Sequence, residues 1–501
     1  MKRLMHHRTI QLIFALFLTS ALSQPEAQAF PSSPPEQEGV SSTAVLSFIE
    51  HLEKHVDAVH SVMILRHGKV ITEGWWAPYD AQTPHLMHSL SKSFTSTAMG
   101  LAIGEGKLSL DDPVISFFPE DTPKEPSWQL KAMRIRDLMI MSTGHRQEPF
   151  LFRLESNWVR AFLHAEVEFQ PGTHFKYNSA ATYMLSAILQ NVTGETLVDY
   201  LDPRLFQPLG ISKPDWDVCP DGINTGGWGL RITTEDIAKL GQLYLQRGNW
   251  EGTRILSEEW VDLATSKQTS NGSNPKNDWS QGYGFQFWRC RHNCYRGDGA
   301  FGQFCIVMPD QDAVVAVTSG ANDMGAIMNA VWDFLLPAMK PSPLAANDAA
   351  HHALRTKLGG LSLPWVSGEP RSALSERLAQ RTFQLIDNDE DLKSVAFKLH
   401  EGDHRIIIET SHGIESISLG TRQYLTTNLH HPLPHAGSMR KRIGASGAWI
   451  EPQVYQARIY FCKSPARMTY TFRFTDDRMT WSSDLKHSLF APKKLPELQG
   501  R

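Results

Sequence analysis

Ser89 and Lys92 stand three residues apart in "HSLSKSFTSTAMGLAIGEG". Behind them Phe94, Ala98, Leu101 and Ala102 fall at helical spacing, and Gly104 and Gly106 mark a stop, so the spacing predicts an amphipathic helix. Residues three apart on a helix share a face, which brings the hydroxyl and the amine within reach of each other. A serine at a helix N-terminus lies in the positive end of the dipole, which favours the alkoxide-like charge of an attacking serine. A lysine acting as its base must be neutral, and burial lowers a lysine pKa from about 10.4 toward that state. The same residues also read as a capping serine followed by a solvated lysine. Spacing alone does not choose, because Ser273/Lys276, Ser438/Lys441 and Ser483/Lys486 repeat it in this chain.

Two further stretches carry candidate chemistry. In "PGTHFKYNSAATYMLSAILQNVTG", Met184, Ile188 and Val192 predict a helix ending at Gly194. Tyr177-Asn178-Ser179 precedes it, either as a capping turn or with Tyr177 as a phenol relaying a proton to a leaving group. In "CYRGDGAFGQFCIVM", Gly297, Gly299 and Gly302 weaken a strand, which points to close approach of a backbone or ligand. A strand N–H there could join that of Ser89 as an oxyanion hole; the plain alternative is a glycine-rich hairpin.

The elements that must position these residues are strands at both ends of a helical stretch. "SVMILRHGKVITEGWW" predicts a hairpin turning at His67-Gly68-Lys69. Residues from about Ser89 to Gln246 are mostly helical, and "GYGFQFWRC", "FGQFCIVMP" and "DAVVAVTSG" follow as strands. The fold class is therefore α/β of the α+β type, an antiparallel sheet built from both ends and flanked by helices, with an all-helical subdomain. Pro341–Pro370 shifts to Pro, Ala, Gly and Ser and reads as a linker with one short helix. Beyond it period-2 alternation, as in Tyr470, Phe472 and Phe474, predicts a small all-β domain whose aromatic face is either a buried core, the favoured reading, or a binding surface. The expected organisation is a signal peptide over 1–29, a hydrolase domain over 30–340, a linker over 341–369 and a β-domain over 370–501.

In their order and separation, "SLSK", "YNS" and "GDGAFGQ" resemble the three motifs of the serine β-lactamase and penicillin-binding-protein superfamily. The likeness is to its class-C-like branch of hydrolases and esterases and covers about residues 35 to 340. "LSLDDPV", "IRDLMIMSTGH", "LFQPLGI" and "GGWGLRITTEDIAKLGQLYLQRGNWEG" agree with it. "PGTHFKYNS" and "GAFGQ" are most similar to the 6-aminohexanoate-oligomer hydrolase type, which cleaves linear amides and carboxylic esters. The resemblance implies that Ser89 attacks a carbonyl carbon, Lys92 takes its proton and Tyr177 helps protonate the leaving group. The oxyanion would rest on the N–H groups of Ser89 and Ala300, with Ser179, Gly297 and Gly299 in support and no cofactor.

Two departures matter. Ser179 stands where the second motif often ends in Asn, and it lacks that amide's two donors. The third motif aligns with Gly297-Asp298-Gly299, without the cation that holds a substrate carboxylate in β-lactamases and peptidases. In the alternative register, Tyr295-Arg296-Gly297, the first position is again uncharged and the oxyanion N–H shifts. Alternation would turn Arg296 away from Gly297. The expectation is thus an esterase or amidase acting on a small molecule. The rivals are a β-lactamase or D-Ala-D-Ala carboxypeptidase, and a non-catalytic binding or sensor protein whose C-terminal β-domain does the work.

With 501 residues the chain is too long for one core, and its net charge of −4 without a Lys/Arg stripe argues against a nucleic-acid partner. "MKRLMHHR", an apolar run and "AQA" form a secretory signal pattern with cleavage after Ala29, so the expected location is periplasmic or secreted, with no membrane segment remaining. Cys290 and Cys294 flank "RHN" and either bridge a hairpin or stay free; the histidines are scattered, and no metal site is expected.

Overall fold

The run Val59–Arg66 offers no polar face to solvent, and as strand β1 it is buried at every position. Its alternate side chains enter two different cores: Met63 and Leu65 one, Val62 and Ile64 the other. β1 turns through His67 (φ 50°) and Gly68 (φ 73°) into β2 (Lys69–Trp75), as the hairpin signal predicts. The sheet is completed from the far end of the region by β3 (Trp288–Arg289), β4 (Tyr295–Gly299), β5 (Gln303–Met308) and β6 (Ala313–Ser319). Its order is β2-β1-β6-β5-β4-β3 and every pairing is antiparallel, with Val62 opposite Val317. The computed structural model describes residues 30–149, 151, 156–386, 388–389, 391–400, 403–433, 442–489 and 495–501; the expected signal peptide lies outside them.

Helices cover both faces. They are α1 (Ser42–His55), α2 (Ser91–Gly104), α3 (Ser179–Thr193), α4 (Thr234–Leu245), α5 (Met324–Ala330) and α6 (Asp348–Gly359). α2, α3 and α4 pack in one core with Leu65, Cys305 and Val314, while α1, α5 and α6 pack in the other with Ile64, Phe304 and Val315. The mixed antiparallel fold expected from the pattern is therefore present.

One expectation is corrected. α2 is not amphipathic but buried on nearly every face. Its hydroxyls, which read as a polar surface, bond inside: Ser96 to the Phe285 carbonyl at 2.6 Å, Thr95 to that of Gly226 at 2.8 Å and Thr97 to Tyr244 at 2.9 Å. The Pro/Ser stretch after residue 30 is docked on the sheet, with the Ser33 N–H donating to the Val70 carbonyl at 3.0 Å. The short helix expected within 341–369 is α6, whose Leu354 is buried in the second core, and Leu358 and Leu361 press on Gly74 of β2. Cys290 and Cys294 are separate buried thiols.

Residues 382–500 form two antiparallel sheets of four and six strands in sequential order. Bridges Leu385↔Gly500 and Gly420↔Ser446 join their margins. The interior is filled by Phe397, Tyr455, Tyr470, Phe472, Phe474 and Trp481, so the alternating aromatic face is a core. Tyr470 and Trp481 meet edge to face at 4.9 Å.

Four histidines are buried near the meeting of the two units. His60 stacks on Tyr79 at 3.8 Å and bonds His85 at 3.1 Å, with His88 and His487 close by. Burial lowers all of them, His85 and His487 to about 4 and His88 to about 3. The unfolded chain takes these protons near pH 6.5, so between there and about pH 4 it binds more protons than the folded one. Stability is complete above that window and falls as pH drops through it. Thermal unfolding from about pH 7 to about pH 5 should show a steadily decreasing Tm; a constant Tm would mean that the histidines accept protons in place.

Candidate active site

The chain enters the site through a short strand, His85–Leu86, paired with Leu230–Ile232. His88, at φ 46°, turns it into a single 3₁₀ turn, His88–Leu90, which runs straight into α2. Ser89 occupies that turn and Lys92 the first turn of the helix. The Ser91 hydroxyl locks the join, donating to the His88 carbonyl at 2.7 Å while the Leu230 N–H donates to it at 3.2 Å.

Lys92 is 1 % exposed, and its Nζ donates to three uncharged acceptors. These are the Ser89 and Ser179 hydroxyls, each at 3.1 Å, and the Gly227 carbonyl at 2.7 Å. Burial pushes its pKa down to about 7, against smaller opposing pulls from Glu148 and Asp298. Gly227 must lack a side chain, since a Cβ there would lie 2.9 Å from the Ser179 carbonyl and 3.4 Å from Lys92 Nζ.

Asn178 caps α3 by accepting from the Ala181 N–H at 3.2 Å, which leaves Ser179 at the first helical position with its hydroxyl on Lys92. The Tyr177 hydroxyl interacts with Ser89, and its ring centroid lies 4.9 Å from Lys92 Nζ. The ring stacks on Trp288 at 5.4 Å and meets Tyr283 edge-on at 6.3 Å. Burial raises the phenol well above its usual pKa, so it stays protonated.

β4 closes the other side. A Cβ on Gly297 would sit 2.2 Å from Leu90 and 2.8 Å from the Ser93 hydroxyl; one on Gly299 would sit 2.1 Å from the Met87 carbonyl. Both glycines exist so that the strand can lie against the Ser89 turn. Arg296 points the other way, as alternation predicts. Its Nε donates to Asp298 at 2.9 Å, and its guanidinium packs on Trp279, 4.6 Å from that ring. It is fully buried and thus committed. Ala300 lies in the turn after β4, its carbonyl accepting from Gln303 at 2.9 Å.

Ser89, Lys92, Tyr177 and Ser179 therefore converge, and Gly297 and Gly299 border them. Two participants escaped the sequence reading. Gly227 acts through its carbonyl, and only the doublet in "TGGWG" hints at close packing. Glu148, in the loop after Ser142, accepts from the Ser179 N–H at 2.7 Å and the Ala180 N–H at 3.3 Å, and no local pattern signals it. Among the described residues no group of His, Cys, Asp or Glu is arranged to hold a metal ion.

The family model described as Beta-lactamase matches residues 48–337. The chain is 24% identical over 335 residues to 6-aminohexanoate-dimer hydrolase of Paenarthrobacter ureafaciens, a match covering 62% of this chain and 83% of that protein. It is 26% identical over 201 residues to a D-aminopeptidase of Brucella anthropi, 36% of either chain. The crystal structure of SurE superposes with a TM-score of 0.50 at 16% identity, covering 86% of this chain and 99% of that one, so the likeness in fold runs into the C-terminal strands.

If Lys92 is a base it must lose its proton to work, and hydrolysis should then rise with pH through about 7, the value to which burial brings it. Glu148 holds that proton on. Glu148→Gln should move the acid limb of the kcat/KM profile to lower pH; an unmoved limb would detach Glu148 from Lys92.

Proposed function

The chain belongs to the β-lactamase family and is a serine hydrolase; from that premise we propose that it cleaves small carboxylic esters or amides through an acyl-enzyme on Ser89. The single observation that carries this reading is the buried Lys92 amine on the Ser89 hydroxyl at 3.1 Å. Neutral Lys92 takes the hydroxyl proton as Ser89 attacks the carbonyl carbon. Tyr177, held protonated by its burial, passes a proton to the leaving oxygen or nitrogen. The opposite shifts of the two groups favour Lys92 as base and Tyr177 as acid. Water then attacks the acyl carbonyl, gives its proton back through the same pair and frees Ser89.

For the oxyanion, the Ser89 N–H needs a second donor from the edge of β4. The Gly299 carbonyl accepts from the Gly302 N–H at 3.1 Å and so faces β5. In an antiparallel strand that directs the Asp298 N–H to the opposite, open edge. Gly297 lies against Leu90 and Gly299 against Met87, so Asp298 is level with the Ser89 turn. The same alternation turns the Ala300 N–H to that edge, so the proposed donor is Ala300, with Asp298 as the donor in the second register.

The ester or amide preference rests on charge. Arg296, the cation nearest the third motif, is spent on Asp298. Among the described residues the two other charges that act on Lys92, Glu148 and Asp298, are negative, which disfavours a substrate carboxylate. The likeness to a hydrolase of a linear amide dimer points the same way. Export through the N-terminal signal pattern is part of the proposal, with 30–340 as the hydrolase unit and 370–501 as a β-domain.

A fluorophosphonate probe should label the wild type at Ser89. Ser89→Ala and Lys92→Ala should each lower ester turnover by about 10³-fold or more with Tm nearly unchanged. Residual activity near wild type in either would remove the assignment. p-Nitrophenyl acetate should be a better substrate than a chromogenic cephalosporin, and the reverse order would favour the β-lactamase reading.

A further inference from the structure

The segment that delivers Ser89 is held from a side that the family-matched part of the chain does not supply. The Leu86 N–H donates to the Lys463 carbonyl and the Tyr79 hydroxyl to the Ser464 carbonyl, both at 3.0 Å. Asp80 pairs with Arg442 at 2.6 Å. Gly444 lies so close to Pro78 that a Cβ would come within 2.1 Å of it. The C-terminal β-unit thus grips residues 78–86, immediately before the nucleophile.

Three of the chain's left-handed non-glycine residues lie at this junction. His88, next to Ser89, has φ 46°; Phe301, in the turn after Gly299, has φ 64°; His487, just past the strand Arg478–Lys486, has φ 56°. Bulky residues hold such angles only where their surroundings over-determine them. The surroundings here are one another's rings. His88 meets Phe301 edge to face at 5.6 Å and 66°, and His487 meets the same ring at 5.6 Å and 69°. Phe301 therefore bridges the nucleophile turn to the C-terminal unit, and it sits in the turn that follows β4.

His487 acts there as a ring. Its two nitrogens are buried without a hydrogen-bond partner, the Asp57 carboxylate lying 3.8 Å from Nε2. Burial keeps it and His88 uncharged at neutral pH.

We propose that His487 is a positioning residue for hydrolysis: through Phe301 and His88 it holds the Ser89 turn and the end of β4 in reacting geometry. Residues 370–501 are then a working part of the catalytic unit and not an appended binding module. This rests on the reading of Ser89 as nucleophile.

The test compares His487→Ala, His487→Phe and Phe397→Leu in the full chain. Phe397 is buried in the C-terminal core, away from this junction. The readouts are kcat and KM for p-nitrophenyl acetate, the rate of fluorophosphonate labelling and Tm. His487→Ala should lower kcat and labelling about tenfold with KM little changed. His487→Phe should restore both, because only the ring is needed. Phe397→Leu should lower Tm without lowering kcat at temperatures where it is folded. Wild-type kcat in His487→Ala, equal losses in the Ala and Phe variants, or a kcat loss in Phe397→Leu would each overturn the proposal. If His487→Ala does not fold, a folded but impaired His487→Phe would overturn it alone. A wild type that neither turns over the ester nor labels would sink the hydrolase reading instead, so the two failures are distinct.

Discussion

An ammonium group loses several kcal/mol of hydration when it is buried, and only a close counter-ion or the loss of its proton relieves that cost. At Lys92 the three contacting acceptors are two hydroxyls and a carbonyl, none of them charged. The proton is the part that leaves. Glu148 and Asp298 act from farther off and keep the amine from becoming neutral at every pH. The same dry surroundings hold Tyr177 in its protonated form. One environment thus shifts in opposite directions two groups whose ordinary pKa values both lie near 10.

Excluding water from that point occupies much of the molecule. α2 gives up a solvated face, its hydroxyls satisfied by carbonyls of neighbouring segments. Gly227, Gly297 and Gly299 let three backbones close in where side chains would collide. Trp288 and Tyr283 wall off the phenol. The pieces come from distant parts of the chain, and none of them alone would keep the amine dry.

Much of this was legible in the residues. Serine and lysine three apart before an apolar helix, an Asn-Ser cap after a tyrosine and a glycine-spaced strand mark the groups that converge, because each leaves a local periodic or capping trace. The strand alternation of the C-terminal region also read correctly, since period 2 survives whenever one face is buried. What escaped lacks such a trace. Glu148 is a loop carboxylate, and its partners lie on a helix about thirty residues on. Gly227 contributes a carbonyl, which every residue has. α2 misled because Ser and Thr count as polar even when their hydroxyls find partners inside. The aromatic contact through Phe301 joins residues nearly 400 positions apart, from His88 to His487, and no single-sequence pattern spans that.

The central sheet seats β1, from the beginning of the hydrolase region, beside β6, from its end, with Val59 opposite Ser319. Closing so long a loop must precede any reward from the pairing, so this topology folds late and as a whole. The strand edge that faces Ser89 belongs to the same late arrivals. Until the sheet closes, the serine and the lysine lack the dry cleft that holds them. The sheet that seats these groups is complete only after some 260 residues beyond Val59 have joined the chain.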